Sequence, residues 1–312
     1  MTATTREWGG LANMPLIEIR NLTKDYGNGR GVFDLNLTVE KGETFGFVGA
    51  NGAGKTTTIR HLMGFIKPDG GNATIDGLDC WKDAAELKKR IGYIPGEIAF
   101  PDAPTGSAFL KRQAELRGVK DMALAESVIR KMQLDPTANL KRMSKGMKQK
   151  TAIVAALMAD CDILIFDEPT TGLDPLMRAE FLDLLRDLKN RGKTIFMSTH
   201  VMEEVEQICD RVAFIRDGKL VAVKSMDEFR NRDEKTYQIT FQTREDYRRF
   251  LSEAFDFAGT DDGRNLVTVR VRGGGINALL KTLKAYRIQS LSEVKQTFEK
   301  YVSRLIRGGD AQ

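Results

Sequence analysis

The residues Gly49-Ala50-Asn51-Gly52-Ala53-Gly54-Lys55-Thr56-Thr57 have the spacing G-x-x-x-x-G-K-[ST]. Glycines at 49, 52 and 54 let successive backbone N–H groups turn toward one anion. Lys55 is long enough to reach the outer phosphates of a nucleotide, and the Thr56 hydroxyl can ligate Mg²⁺. The pattern has meaning only where a strand enters the loop and a helix leaves it. Thr44–Val48 (TFGFV) reads as an apolar strand and Thr56–Gly64 as a helix, so the context is met.

A second constellation is Ile163-Leu164-Ile165-Phe166-Asp167-Glu168. Four apolar residues deliver two carboxylates to a strand's C-terminal end, where open α/β sheets bind ligands. Asp167 is placed to hold Mg²⁺ through water. Glu168 is placed to polarise an attacking water as general base.

The elements around these residues alternate. Leu16–Asn21 and Val32–Val39 alternate apolar and polar, as half-buried strands do. Short strands at Ala73–Ile75, Ile91–Ile94, Thr194–Ser198 and Arg211–Arg216 are separated by helical stretches at Asp83–Arg90, Leu176–Asn190 and Met202–Asp210. This order predicts an α/β core with a mainly parallel sheet. Residues 96–158 are mostly helical and read as an inserted subdomain. The charged run at 228–235 reads as a linker. Beyond it, a β-α-β-β-α-β order over 236–312 predicts a small ferredoxin-like α+β domain closed by a helix, Glu293–Leu305.

Composition sets wider bounds. The chain has 312 residues, 41% hydrophobic and 29% charged, enough apolar material for two folded domains. No run approaches the ~18 apolar residues of a membrane-spanning helix. Cys80, Cys161 and Cys209 are widely spaced, unlike a disulfide framework. A membrane channel and a secreted disulfide protein are thereby excluded. A formal charge of +5 gives no reason to expect a nucleic-acid partner. Residues 1–15 have no apolar run of a signal peptide and read as a tail.

Three further motifs sit between and after the two constellations: Met143-Ser144-Lys145-Gly146-Met147, Thr171-Gly172-Leu173-Asp174 and Ser198-Thr199-His200. With them, residues 16–227 resemble the ATP-binding cassette (ABC) ATPases, a P-loop NTPase family. Five short motifs in family order carry the resemblance. It implies an ATP-hydrolysing cassette with ATP and Mg²⁺ as ligands. It also implies that two copies close around two ATP molecules, and that a separate transmembrane permease is the second partner.

Residue by residue, the resemblance makes Lys55, Glu168 and His200 catalytic and Thr56 and Asp167 the Mg²⁺ residues. Tyr26 looks like the aromatic that stacks on adenine. Gly49, Asn51, Gly52, Ala53, Gly54, Lys55, Thr56 and Thr57 look like the phosphate loop. Ser144 and Gly146 look like signature residues that contact ATP held by a partner subunit, and Asp174 like a residue serving the dimer interface.

Lys145 and Met147 depart from the usual signature, and Gly96 stands where the family usually has glutamine, with Glu97 next to it. The terminal Ser290–Phe298 stretch is similar to that of bacterial drug-type, ABC-2-type export ATPases. The implied setting is cytoplasmic, peripheral on the inner face of the cell membrane. The alternatives are an ABC ATPase acting on ribosomes or DNA, and a weakly hydrolysing regulator of a membrane complex.

Overall fold

The computed structural model describes residues 15–230 and 235–294, and the chain divides into two compact units, 1–226 and 227–312. The first contains β1 (Ile17–Asp25), β2 (Gly31–Val39), β3 (Thr44–Val48), α1 (Lys55–Leu62), β4 (Gly70–Ile75), β5 (Leu78–Asp79), α2 (Ala84–Arg90) and β6 (Ile91–Ile94). It continues with α3 (Gly106–Arg117), α4 (Ala123–Lys131), α5 (Lys145–Leu157), β7 (Ile163–Asp167), α6 (Pro175–Asn190), β8 (Thr194–Thr199), α7 (Met202–Ile208), β9 (Arg211–Arg216) and β10 (Lys219–Ser225). Helix α8 (Met226–Arg230) crosses the boundary. The second unit adds β11 (Lys235–Phe241), α9 (Arg244–Phe250), β12 (Asp256–Asp261), β13 (Leu266–Val271), α10 (Ile276–Leu283) and β14 (Ile288–Glu293).

The six-stranded sheet has the order β10-β9-β3-β8-β7-β6. Strands β9, β3, β8, β7 and β6 are parallel, and β10 closes one edge antiparallel. Every residue of β3, β7 and β8 is buried. That explains their unbroken apolar runs, because a parallel strand is covered on both faces. Phe45 stacks on Phe196 with ring centroids 5.9 Å apart. Each buried phenylalanine contributes about 1.5–3 kcal/mol from removing its ring from water.

A separate antiparallel sheet, β2-β1-β4-β5, was not foreseen from the sequence. Both it and the central sheet contribute to one apolar core, with Leu22 and Val32 from the former and Phe45 and Phe196 from the latter. The predicted strands at 16–21 and 32–39 belong to this sheet and not to the parallel one. Strand β10 also escaped the sequence reading. It pairs with β9 across the turn at Asp217-Gly218.

The helical stretch resolves into α3, α4 and α5, and α3, α5 and the later α6 start on side-chain caps. Thr105 caps α3 by accepting the Ala108 N–H, and Gly118 ends it in the left-handed conformation. Ser144 caps α5, and Asp174 caps α6 with Pro175 in its first turn. Helix α5 reaches the sheet at Gly92 of β6. A Cβ there would lie 2.5 Å from the Ala156 carbonyl oxygen.

In the second unit the sheet is antiparallel, in the order β12-β13-β11-β14. Alternate residues Tyr237, Ile239 and Phe241 of β11 are buried with Val267 and Val269 of β13. The expected linker differs from the structure, because α8 makes Met226–Arg230 helical. Strand β14 extends to Glu293, so the predicted start of the closing helix is extended chain. Residues 295–305 of that helix and the 1–14 part of the tail lie outside the described residues.

Replacing Gly92 with alanine forces α5 away from β6. The expected loss is about 1–3 kcal/mol of stability, read by urea unfolding. An unchanged midpoint and slope contradict this seating of α5.

Candidate active site

The site is built where β3, β8 and β7 end together. Ser198 of β8 is in register with Phe47 of β3 and Asp167 of β7. Parallel neighbours place their C-terminal ends on one edge, and the loops leaving them converge there.

The loop after β3 is tight at both ends. A Cβ on Gly49 would lie 2.5 Å from the Ile215 carbonyl oxygen, and Gly54 has φ +109°. Gly54 is also the N-cap of α1 and offers no side chain to the helix. The first-turn N–H groups of α1 therefore lack a side-chain cap, which suits an anion.

Lys55 is 5% exposed. Its Nζ donates to the carbonyls of Gly49 at 2.7 Å and Ala50 at 3.1 Å, and lies 3.1 Å from Glu168 Oε1. Three donors meet three oxygens, which is what a buried ammonium requires.

Asp167 is fully buried. Its Oδ1 accepts the Ser198 hydroxyl at 2.6 Å, while Oδ2 has no hydrogen-bond partner among the described residues. An unpartnered buried carboxylate oxygen is costly, and a hard cation is the natural partner for it. Gly96 lies against this same oxygen, since a Cβ there would be 2.8 Å from Oδ2. The glycine lets the loop backbone approach the carboxylate. Burial, reinforced by the Asp167 charge, pushes the Tyr93 hydroxyl up to about 12.

Glu168 stands at φ +48°, an uncommon conformation for a side-chain-bearing residue. Its N–H reaches the Ser198 carbonyl at 3.2 Å and the Ser198 hydroxyl at 3.1 Å. Its Oε2 lies 3.4 Å from His200 Nδ1 and accepts from the Thr171 hydroxyl at 3.4 Å. Burial opposes the charged carboxylate. Hydrogen bonds and charge from Lys55 and His200 outweigh it and hold Glu168 below the usual carboxylate range.

These groups line a cleft of about 500 Å³ with Tyr26, Asn51, Gly52, Gly54, Thr56, Thr57 and Glu97. Tyr26 is 53% exposed in it. Gly49 acts through its carbonyl on Lys55, and Ala53 is buried within the loop. His200 is half-exposed and meets the site through Glu168.

Ser144, Gly146 and Asp174 do not line the cleft. Ser144 accepts the Met147 N–H at 3.2 Å and Asp174 accepts the Met177 N–H at 2.9 Å, both as helix caps. Gly146 packs against the Gly172 carbonyl, 2.9 Å from where a Cβ would stand. The structure thus joins the 143–147 and 171–174 motifs to each other at Gly146 and Gly172, and only Thr171 reaches the cleft, through Glu168.

Sequence reasoning missed the roles of Ser198, Arg30 and Arg60. Ser198 bridges Asp167 and the Glu168 backbone, and the two arginines bring positive charge to the cleft wall. A serine two residues before His200 at the end of a buried strand was the available signal. The arginines carry no local signal, because only the fold brings them to the cleft.

A lowered carboxyl pKa means that the charged pair adds stability above the ordinary carboxylate range. That stability is lost as pH falls through Glu168's lower folded value. In Lys55→Ala, burial acts with weaker opposition, so the Glu168 titration moves to higher pH. Carboxyl ¹³C NMR, assigned with Glu168→Gln, reads this shift. An unmoved midpoint contradicts the pairing.

A family profile described as ABC transporter matches residues 32–171. The bacitracin transport ATP-binding protein BcrA of Bacillus licheniformis is 32% identical over 302 residues, covering 94% of this chain and 98% of that protein. The ABC transporter ATP-binding protein NatA of Bacillus subtilis is 39% identical over 217 residues, covering 67% and 88%. A dimeric ATP-binding cassette, solved in a post-hydrolysis state bound to ADP and Pi, superposes with a TM-score of 0.59. It shares 24% identity and covers 67% of this chain and 98% of that one, a likeness that shows the fold. Glycine-rich loop, paired carboxylates and near full-length similarity converge on one assignment: the chain belongs to the ATP-binding subunits of ABC transporters.

Proposed function

We propose that this ATPase powers an ABC-2-type exporter, and that two copies of it close around two ATP molecules. The observation that carries this reading is the division of the site. One chain's cleft holds Lys55, the α1 N-terminus, Asp167 and Glu168, while Ser144, Gly146 and Asp174 stand outside it. A second copy would bring its own Ser144 and Gly146 to the γ-phosphate, with the N-terminus of α5 facing the anion. Asp174, at the start of α6, would lie at the same interface. The relative solved as a dimer with ADP and Pi supports this arrangement.

The chemistry follows from the groups at hand. The loop N–H groups from Gly49 to Thr57 receive the phosphates, and Tyr26 stacks on the base. Lys55 exchanges its loop carbonyls and Glu168 for phosphate oxygens. Glu168, released from the ammonium, accepts a proton from the attacking water. His200 bonds the γ-phosphate and keeps Glu168 in place. Catalysis is positioning plus neutralisation of charge on the transferred group. Thr56 and the unpartnered Asp167 Oδ2 fit Mg²⁺, with hard oxygens facing the cleft. When bound, Mg²⁺ offsets phosphate charge.

The membrane partner is a separate permease, and this chain works peripherally on the inner face of the membrane. The transport names of the relatives support that reading. A groove of about 300 Å³, lined by Phe65, Tyr93, Phe100, Phe109 and Arg117, offers apolar surface for docking beside α3. Residues 16–227 are the cassette. The segment after 235 is a ferredoxin-like accessory domain, supported by its element order and by the strand order β12-β13-β11-β14.

Glu168→Gln tests the general base. ATP binding is retained and traps a dimer visible by size exclusion, while turnover falls on the order of 100-fold or more. Normal turnover in this variant refutes the assignment.

A further inference from the structure

A second carboxylate stands behind Glu168 and His200. Glu204, in the first turn of α7, is 1% exposed. A buried carboxylate is costly unless both oxygens are satisfied. Here they are: Oε1 accepts the Thr170 hydroxyl at 2.6 Å, and Oε2 accepts the Thr199 hydroxyl at 2.8 Å. Arg178 Nε lies 3.6 Å from Oε1, an ion pair too long for a hydrogen bond.

Thr170 lies in the loop after β7, and Thr199 is the last residue of β8. Thr170 follows Glu168 by two residues and precedes Thr171, whose hydroxyl donates to Glu168 Oε2. Thr199 directly precedes His200, and its oxygen also accepts the Val201 N–H at 3.0 Å. One carboxylate therefore ties the loop that carries Glu168 to the loop that carries His200. The first loop is gripped a second time by buried Gln149 of α5, whose Nε2 donates to the Pro169 carbonyl at 2.6 Å.

We propose that Glu204 is a positioning residue for ATP hydrolysis: by clamping Thr170 to Thr199 it sets the 3.4 Å approach of His200 Nδ1 to Glu168 Oε2. This rests on the roles given above to Glu168 and His200. The physical reason is directional. Strand pairing holds each loop at its root, and the segments beyond need a further cross-link to share one position. Ser198 ties the backbone of Glu168, but it leaves the far ends of both loops unlinked. Two short hydrogen bonds to one charged acceptor fix those ends together. A shift of about 1 Å between reacting groups is enough to cost much of the rate. Most nucleotide contacts come from Tyr26, Lys55 and the α1 N-terminus, which Glu204 does not touch, so the clamp acts mainly on kcat and much less on affinity.

The test uses the full chain. Steady-state kcat and KM, MgATP affinity without turnover and melting temperature are measured for wild type, Glu204→Ala, Glu204→Gln, Thr170→Val and Thr199→Val. Glu204→Ala lowers kcat on the order of tenfold or more and leaves nucleotide affinity within about twofold. Glu204→Gln, which keeps the shape and can still bridge both hydroxyls, recovers most of that kcat. Each threonine variant lowers kcat, and neither lowers it further when combined with Glu204→Ala, because all three break one clamp.

The proposal is overturned if kcat survives in Glu204→Ala. It is overturned equally if kcat, affinity and melting temperature fall together and glutamine rescues none of them. Should Glu204→Ala fail to fold, the threonine variants carry the same test, and unchanged kcat in both overturns it. A wild-type chain without ATPase activity refutes the parent reading instead, and the clamp with it.

Discussion

Nearly everything at the site depends on the buried ammonium of Lys55. A charge removed from water must be surrounded by oxygens or it destabilises the fold. Two carbonyls of its own loop and the Glu168 carboxylate supply them. That requirement dictates where β3 and β7 must end. It explains why β8 lies between them, since Ser198 then joins Asp167 to the backbone of Glu168. In the proposed mechanism the pair is also a resting arrangement, because the same ammonium and carboxylate engage ATP and water.

The site holds costs that the rest of the cassette offsets. Glu168 in a left-handed conformation costs roughly 1–3 kcal/mol. Asp167 Oδ2 is buried without a partner among the described residues. Neither would persist on a soft scaffold. Both sit at the ends of strands whose residues are entirely buried, and the apolar core of Phe45, Phe47 and Phe196 underlies them. A hard cation at Asp167 would supply the partner that its Oδ2 lacks among the described residues.

The phosphate loop and the Asp167–Glu168 strand end were legible because their physics is local. A glycine pattern, an apolar run and a following helix announce themselves within about ten residues. Helix caps at Thr105, Ser144 and Asp174 are equally local, and the capping serine and aspartate doubled as motif residues. The antiparallel sheet was not legible, since an alternating strand such as Val32–Val39 does not say which sheet it joins. Strand β10 was missed because LVAVKS has weak alternation and half-buried positions. Nothing local singles out Glu204 among the three acids of MEEVEQ. Of its two hydroxyl partners Thr199 is close in sequence, but Thr170 reaches it only through the fold. Gly96 was visible as a departure, but its closeness to Asp167 needed the three-dimensional path of the loop.

The central claim is that one chain holds only part of a hydrolytic site, and that Ser144 and Gly146 complete the site of a second copy. Complementation tests it most directly. Lys55→Ala loses the phosphate lysine and Ser144→Arg blocks the signature, so each variant alone is inactive. Mixed in equal amounts, half of the dimers are heterodimers, each with one intact composite site. The expected recovery is about a quarter of wild-type ATPase activity. No recovery at any mixing ratio, with both variants folded and dimerising, contradicts a site shared between two chains.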